Sequence, residues 1–406
     1  MPASSGSARL VVDLLDPEFY RMNPHDAWAW MRANEPVYRD HRNGLWGITR
    51  HADIMEVERR SNVFVSGQGY RAVWSPDEIN MIAQDDPRHR QQRMLVQHKF
   101  TRAEVNDRRG EIDALVAELL DAIIKPGSVN GECELVETIA GQLPARLTAR
   151  LLGYPESMWR EIKSWSERLM RIDMRERDGH TFVEFIDANM EFMGGLSEIA
   201  VDKMTKVANG CPADDLLTVW LTSQIEGQPL PPMAIAHEVG LFISGGAETT
   251  RTAISHGIRE LCNHADQWDA LGADPSLVPA AVEEVLRWVT PLNNMFRRAA
   301  ADAEVNGTLI GRGDRVVLLY PSANRDEAVF ADPFNFDIRR SPNAQIAFGF
   351  GTHLCVGNNL ARATLQSLLT QMSARIRDLR PLTEPDVEPN IFARAVRSFQ
   401  LGFTVR

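Results

Sequence analysis

The chain has 406 residues, is 44% hydrophobic and 24% charged, and carries a formal net charge of −11. An acidic balance argues against nucleic acid as a partner. No stretch approaches the roughly 20 apolar residues of a membrane helix, no basic flank followed by an apolar core opens the chain, and Cys133, Cys211, Cys262 and Cys355 lie too far apart for a zinc or disulfide framework; the expectation is a cytoplasmic monomer without a membrane span.

Residues 1–15, beginning MPASSGSA, read as a loose tail, and 16–406 as one domain. DAWAWMRANE (26–35) reads as a short helix with Trp28 and Met31 on its apolar face. PVYRD and LWGIT read as two strands around the turn HRNG, a hairpin pattern. HADIMEVERR returns to helix. From about 90 to 265 the pattern is almost wholly helical. In 108–124, Ile112, Leu115, Leu119 and Ile123 recur at helical spacing. The segment 232–263 reads as one unusually long helix with two adjacent glycines in its middle, and 275–289 as another helix. After 300, AEVNGTLI and RVVLLY read as strands joined by the turn GRGD, and SFQLGFTV as a C-terminal strand. The fold class is mainly α, with small β-sheets at the two ends of the chain.

One cysteine sits apart from the rest. In FGFGTHLCVGNNLAR (348–362), Cys355 stands among Gly349, Gly351 and Gly357, immediately before a helical run. A helix N-terminus and its free N–H groups favour a thiolate, and glycines let the backbone fold tightly beneath a flat ligand. On the loop alone, a metal-ligating sulfur and an inert buried cysteine are both open.

The ladder Phe348, Gly351, Cys355, Gly357 fits F-x-x-G-x-x-x-C-x-G. With it the sequence resembles the cytochrome P450 family of haem-thiolate monooxygenases. The resemblance implies a triangular helical prism with haem b between the long central helix and the helix after the cysteine. It implies Cys355 as axial ligand of the haem iron, where a thiolate pushes electron density that favours O–O cleavage. Three other stretches agree. In EEVLR, Glu284 and Arg287 share a helix face at i,i+3; on the family pattern Arg340 joins them in a buried structural network. In GGAETT (245–250), two glycines and a hydroxyl can open the helical ladder into a bulge. The resemblance makes Glu248 and Thr249 the acid–alcohol pair that handles protons during dioxygen activation; a plain kink with Thr249 bonded back to a carbonyl is compatible with that. In DPRHRQQRM, His89 and Arg93 lie one turn apart on one face. The family pattern makes them propionate ligands, with Arg297 (preferred to Arg298) and His353.

The segments 67–84, 241–247, 291–296 and 392–396 are expected to line the substrate pocket, through Tyr70, Val73, Trp74, Met81, Ile82, Leu241, Ile243, Leu292, Met295 and Phe392. This inventory suits a lipid-like ligand. RWVTPLNNMFRRA and SANRDEAVFADPFNFDI resemble actinobacterial members that oxidise sterol side chains and branched isoprenoid or fatty-acid chains. Natural-product tailoring is the alternative within the family, and a non-catalytic haem sensor or electron carrier the alternative outside it. Glu248 and Thr249 argue against the second, since passive haem binding needs no proton relay. The stretches 88–102 and 338–377 contain no Asp or Glu but carry Arg88, Arg90, Arg93, Lys99, Arg102, Arg339, Arg340, Arg362, Arg375 and Arg377. They are expected to form a basic surface where an acidic ferredoxin, itself served by a ferredoxin reductase, docks by charge.

Overall fold

A computed structural model describes residues 10–174 and 179–406. The helices that position the site are α1 (His25–Asn34), α2 (His51–Arg59), α3 (Arg88–Val96), α4 (Arg109–Ile123), α5 (Gln142–Leu152), α6 (Trp159–Leu169), α7 (Gly179–Ala208), α8 (Pro232–Asn263), α9 (Val278–Val289), α10 (Tyr320–Ala323) and α11 (Asn358–Arg375). The strands are β1 (Val37–Asp40), β2 (Leu45–Ile48), β3 (Phe64–Val65), β4 (Asn130–Glu134), β5 (Met295–Ala299), β6 (Arg315–Leu318), β7 (Ile376–Pro381) and β8 (Gln400–Val405). The expected mainly-α architecture with small sheets is what forms, and among the described residues no helix is long and apolar enough to cross a membrane.

The long helix α8 organises the molecule. Its N-terminal half (Ile235, Val239, Phe242, Ile243) joins one apolar cluster with α5, α6 and α7. Its C-terminal half (Ala253, Ile254, Ile258, Leu261) joins another with α4, α9 and α11. A single helix threading two cores is apolar on more than one face, which is why its sequence pattern runs far beyond ordinary length. The stretch Ser244–Thr250 falls between the two clusters, and there a large cavity lies.

Three expectations are revised. The sheets are not confined to the chain ends. β1 and β2 from the N-terminal part join β6, β5 and β3 in the order β1-β2-β6-β5-β3, and β4 from the middle of the chain pairs with β8 beside β7. AEVNGTLI and RVVLLY are not partners across GRGD: 303–305 pairs with 308–310 around Asn306 and Gly307, while β6 runs parallel to β2 and antiparallel to β5. Nearer pairing closes a shorter loop, and β6 gains more by filling the centre of a sheet. The tail ends earlier than residue 15. Residues 1–9 lie outside the described residues, but Val12 and Leu14 are buried against Tyr38 and Leu45. The Leu14 amide donates to Asp40 at 2.9 Å.

Candidate active site

The loop 348–357 is shaped by its glycines. Gly349 and Gly351 have φ of 71° and 70°, in the left-handed region. A Cβ at Gly351 would lie 2.6 Å from the carbonyl oxygen of Glu58, so the loop packs on α2 only because that side chain is missing. The Cys355 amide donates to the Phe348 carbonyl at 3.0 Å, closing the loop, and Gly357 stands at the N-terminal cap of α11. Cys355 is exposed and lines the cavity. Burial pushes the thiol up; the Gly357 N–H, Arg93 and Arg362 pull it down, without reversing the balance.

The long helix α8 also lines the cavity, through Leu241, Phe242, Ser244, Gly245, Gly246, Thr249, Thr250 and Ala253. No break appears in it: the helix is continuous from Pro232 to Asn263, so the expected bulge at GGAETT is absent. The space comes from missing side chains instead. A Cβ at Gly245 would touch nothing within 4 Å, whereas one at Gly246 would lie 2.9 Å from Thr148 Oγ1 on α5. The first glycine leaves the cavity open and the second lets α5 approach. Thr249 lines the cavity, and its hydroxyl donates to the Gly245 carbonyl at 2.7 Å. Glu248 points elsewhere. It is buried and does not line the cavity; Arg251 Nη2 donates to its two oxygens at 2.6 and 2.5 Å. Burial raises its carboxyl, with Arg251 opposing.

At the edge of the cavity the polar residues converge. The rings of His89 and His353 lie side by side, centroids 4.2 Å apart and tilted by 45°. His89 is lowered, chiefly by burial, and His353 is pushed down to about 2 by burial and then by Arg297, His89 and Arg93, so both rings are neutral at physiological pH. Arg93 lines the cavity and forms no ion pair among the described residues; burial lowers it. Arg297 is buried in the cavity wall, its Nη1 on the Phe296 carbonyl at 2.7 Å and its Nη2 3.5 Å from Glu58. Arg298 instead faces Trp74.

The cavity encloses about 1780 Å³ of empty space, its mouth included. Of the ten residues expected in the substrate pocket, Tyr70, Met81, Ile82, Leu241, Leu292, Met295 and Phe392 line it. Val73, Trp74 and Ile243 do not. The Val73 amide is tied to Asp173 at 3.0 Å, and Trp74 is 48% exposed. Ile243 is buried in the α5–α7 cluster, because residues two apart on a helix face nearly opposite directions and Leu241 already takes the cavity side. Sequence reading missed Pro144, Leu147 and Leu151 of α5, together with Glu58, Arg71 and Tyr320. The α5 residues carry only an amphipathic pattern; Glu58 and Tyr320 are isolated in sequence from every motif, while Arg71 lies inside the expected segment 67–84 without having been singled out.

Glu284 and Arg287 are wholly buried, joined at 2.7 Å, and Arg340 reaches Glu284 at 3.2 Å. The Asp337 amide and Asn343 complete the shell around the carboxylate. The basic surface is thinner than its sequence suggests. Lys99 is buried on Asp214, Arg362 is paired with Glu283, and Arg375 with Asp121. Arg90, Arg102 and Arg339 are exposed and Arg88 half-buried, none of them ion-paired among the described residues.

Comparison with known proteins bears on this arrangement. The family model described as Cytochrome P450 matches residues 267–391. A steroid C26-monooxygenase of Mycolicibacterium smegmatis is 39% identical over 97% of this chain and 96% of its own. A linalool 8-monooxygenase of Pseudomonas putida is 32% identical over 90% of this chain and 92% of its own. Among solved structures, the Mycobacterium marinum cytochrome P450 CYP268A2 in complex with pseudoionone superimposes with a TM-score of 0.87 at 29% identity, covering 98% of this chain and all of that one.

Proposed function

The chain belongs to the cytochrome P450 family and is a P450 monooxygenase of apolar substrates, and from that premise we propose that it oxidises the branched alkyl end of a steroid side chain or isoprenoid, with haem b as cofactor and electrons drawn from a ferredoxin. Homologues acting on steroids and on linalool support this substrate class, and so does a wall built of Met81, Ile82, Leu241, Leu292, Met295 and Phe392.

The residues fit a haem. A sulfur faces the cavity beneath a glycine-opened helix, and two buried or half-buried arginines stand at its edge, one without a carboxylate partner. Cys355 would ligate the iron, and Arg93 and Arg297, with His89 and His353, would hold the propionates. Arginine suits carboxylates because its planar fork donates to two oxygens. Ligation to a metal removes the thiol proton outright, which resolves the upward push that burial exerts on Cys355. When bound, the haem supplies dioxygen activation and oxygen-atom transfer into a C–H bond.

The chain's own contribution is positioning and proton handling. Thr249 Oγ1 has its hydrogen on the Gly245 carbonyl, so it presents a lone pair to the cavity and accepts a hydrogen bond there. Glu248 can serve as proton source only by exchanging its Arg251 partner for a donor path through Thr249. The apolar wall excludes bulk water from the substrate end and leaves the protons to these two groups. Exposed Arg90 and Arg102 and half-buried Arg88 are the cations available to an acidic donor.

The observation that carries the proposal is that one largely apolar cavity is lined by Cys355 together with Gly245 and Thr249. The test is a spectral titration with cholest-4-en-3-one, linear and branched isoprenoids and fatty acids, followed by product analysis with a ferredoxin system. Terminal oxidation of the steroid or isoprenoid chain is expected. Turnover restricted to macrolides or other tailoring substrates would overturn it.

A further inference from the structure

Among the described residues, Glu58 is the one buried carboxylate in the cavity wall that the monooxygenase reading leaves unused. It sits in the last turn of α2 and is 4% exposed. Its Oε1 accepts from the Tyr320 hydroxyl at 2.8 Å and lies 3.5 Å from Arg297 Nη2. Its Oε2 is buried and meets no donor at ordinary hydrogen-bond geometry, although the Phe350 backbone N–H faces the carboxylate and favours its ionised form. The Gly349–Gly351 loop is moulded around it: a Cβ at Gly349 would come within 3.3 Å of Oε1.

A purely structural counter-ion should be satisfied on both oxygens and close to its cation. This one is neither. An orphaned buried carboxylate oxygen loses hydration without full replacement, so its retention in a fold calls for an explanation.

We propose that Glu58 is a positioning residue for the haem propionate held by Arg297, and that proton exchange at Glu58 sets the potential of the haem iron. The inference rests on the haem reading above. Two carboxylates would share one guanidinium, so a proton held between them is the arrangement with least buried charge. Every group facing Glu58 is compatible with that. Arg297 comes from β5, Tyr320 from α10, and the Phe350 N–H from the loop. His353 and His89, beyond Arg297, are held neutral, and Arg93 carries the other positive charge. Arg59, the neighbour on α2, turns away onto the Phe350 ring. Burial pushes the Glu58 carboxyl up to about 7, against the opposing pull of Arg297 and Tyr320. Losing the proton adds a negative charge near the iron and disfavours the reduced state, so the potential should fall as pH rises through neutrality.

The experiment is a spectroelectrochemical titration of the haem-loaded protein between pH 6 and 9, on the wild type, Glu58→Gln and Tyr320→Phe. In the wild type the ferric–ferrous equilibrium should move toward ferric by on the order of tenfold across this range, the size expected of one charge acting through protein. Glu58→Gln, which mimics the protonated acid, should flatten that slope and hold the potential high at pH 9. Tyr320→Phe removes a donor to the ionised form and should move the midpoint of the pH dependence upward. That shift keeps the proposal testable if the glutamine variant loses haem. A Glu58→Gln protein with the wild-type slope and potential overturns the proposal, as does an unmoved midpoint in Tyr320→Phe. A wild type without a thiolate signature would instead fail the haem reading itself.

Discussion

At the scale of single residues, the site depends on a few atoms whose partners are already chosen. Cys355→Ser should abolish the thiolate band of the reduced carbon monoxide complex and all oxygenation; a retained band would remove Cys355 as ligand. Thr249→Ala deletes the hydroxyl facing the cavity while leaving the helix intact, since that hydroxyl is bonded only to the Gly245 carbonyl. Product formed per electron pair consumed should drop by roughly tenfold, within the range ascribed to positioned proton-transfer groups, with substrate binding little changed. Product and NADH quantification together check it. The motif residues Cys355, Thr249, Arg93 and Arg297 are legible in sequence because each belongs to a spaced pattern. Glu58 and Tyr320 belong to none, and 262 residues of separation hid their contact.

At the scale of elements, the helices α2, α8 and α9 carry buried acids whose energetics differ. Glu284 on α9 is fully compensated by Arg287, Arg340, Asn343 and a backbone amide. Glu284→Ala should therefore cost roughly 3–5 kcal/mol, because it strands Arg287 in the core; chemical denaturation measures it. Glu238 on α8 is the opposite case. One oxygen accepts the Met81 amide at 2.8 Å, the other is unpartnered, and burial pushes the carboxyl up to about 8. The unfolded chain releases this proton near 4.5 but the folded protein retains it to about 8, so its contribution is fully present below 4.5 and is lost as pH rises through that window. Glu238→Gln keeps the Met81 bond and should make the melting temperature fall less between pH 5 and 8. An unchanged decline would place the pH dependence elsewhere, for instance on Glu388, pushed up to about 7.

At the scale of the whole molecule, charge placement decides what can dock. Two stretches that look uniformly basic in sequence are largely neutralised by acids from distant segments: Asp214 on Lys99, Glu283 on Arg362, Asp121 on Arg375. Reversing Arg88, Arg90 and Arg102 to Glu should weaken an acidic ferredoxin at least tenfold and flatten its salt dependence. Reversing Arg362 should mainly damage stability. Equal losses of donor affinity from both sets would show that the unpaired arginines are not the docking charges.

The amino-acid sequence by itself determined the element types, the long central helix and the identity of the cysteine loop. Those depend on local periodicity, glycine placement and motif spacing, all of which act over a few turns of chain. Only the tertiary structure decided that α8 stays unbroken and opens the cavity by lacking side chains, that Ile243 faces away while Leu241 faces in, that Glu248 is held by Arg251, and that Glu58 meets Arg297. Each of these turns on which surfaces of distant elements come together, and burial then sets the charge state that a residue's type alone leaves open.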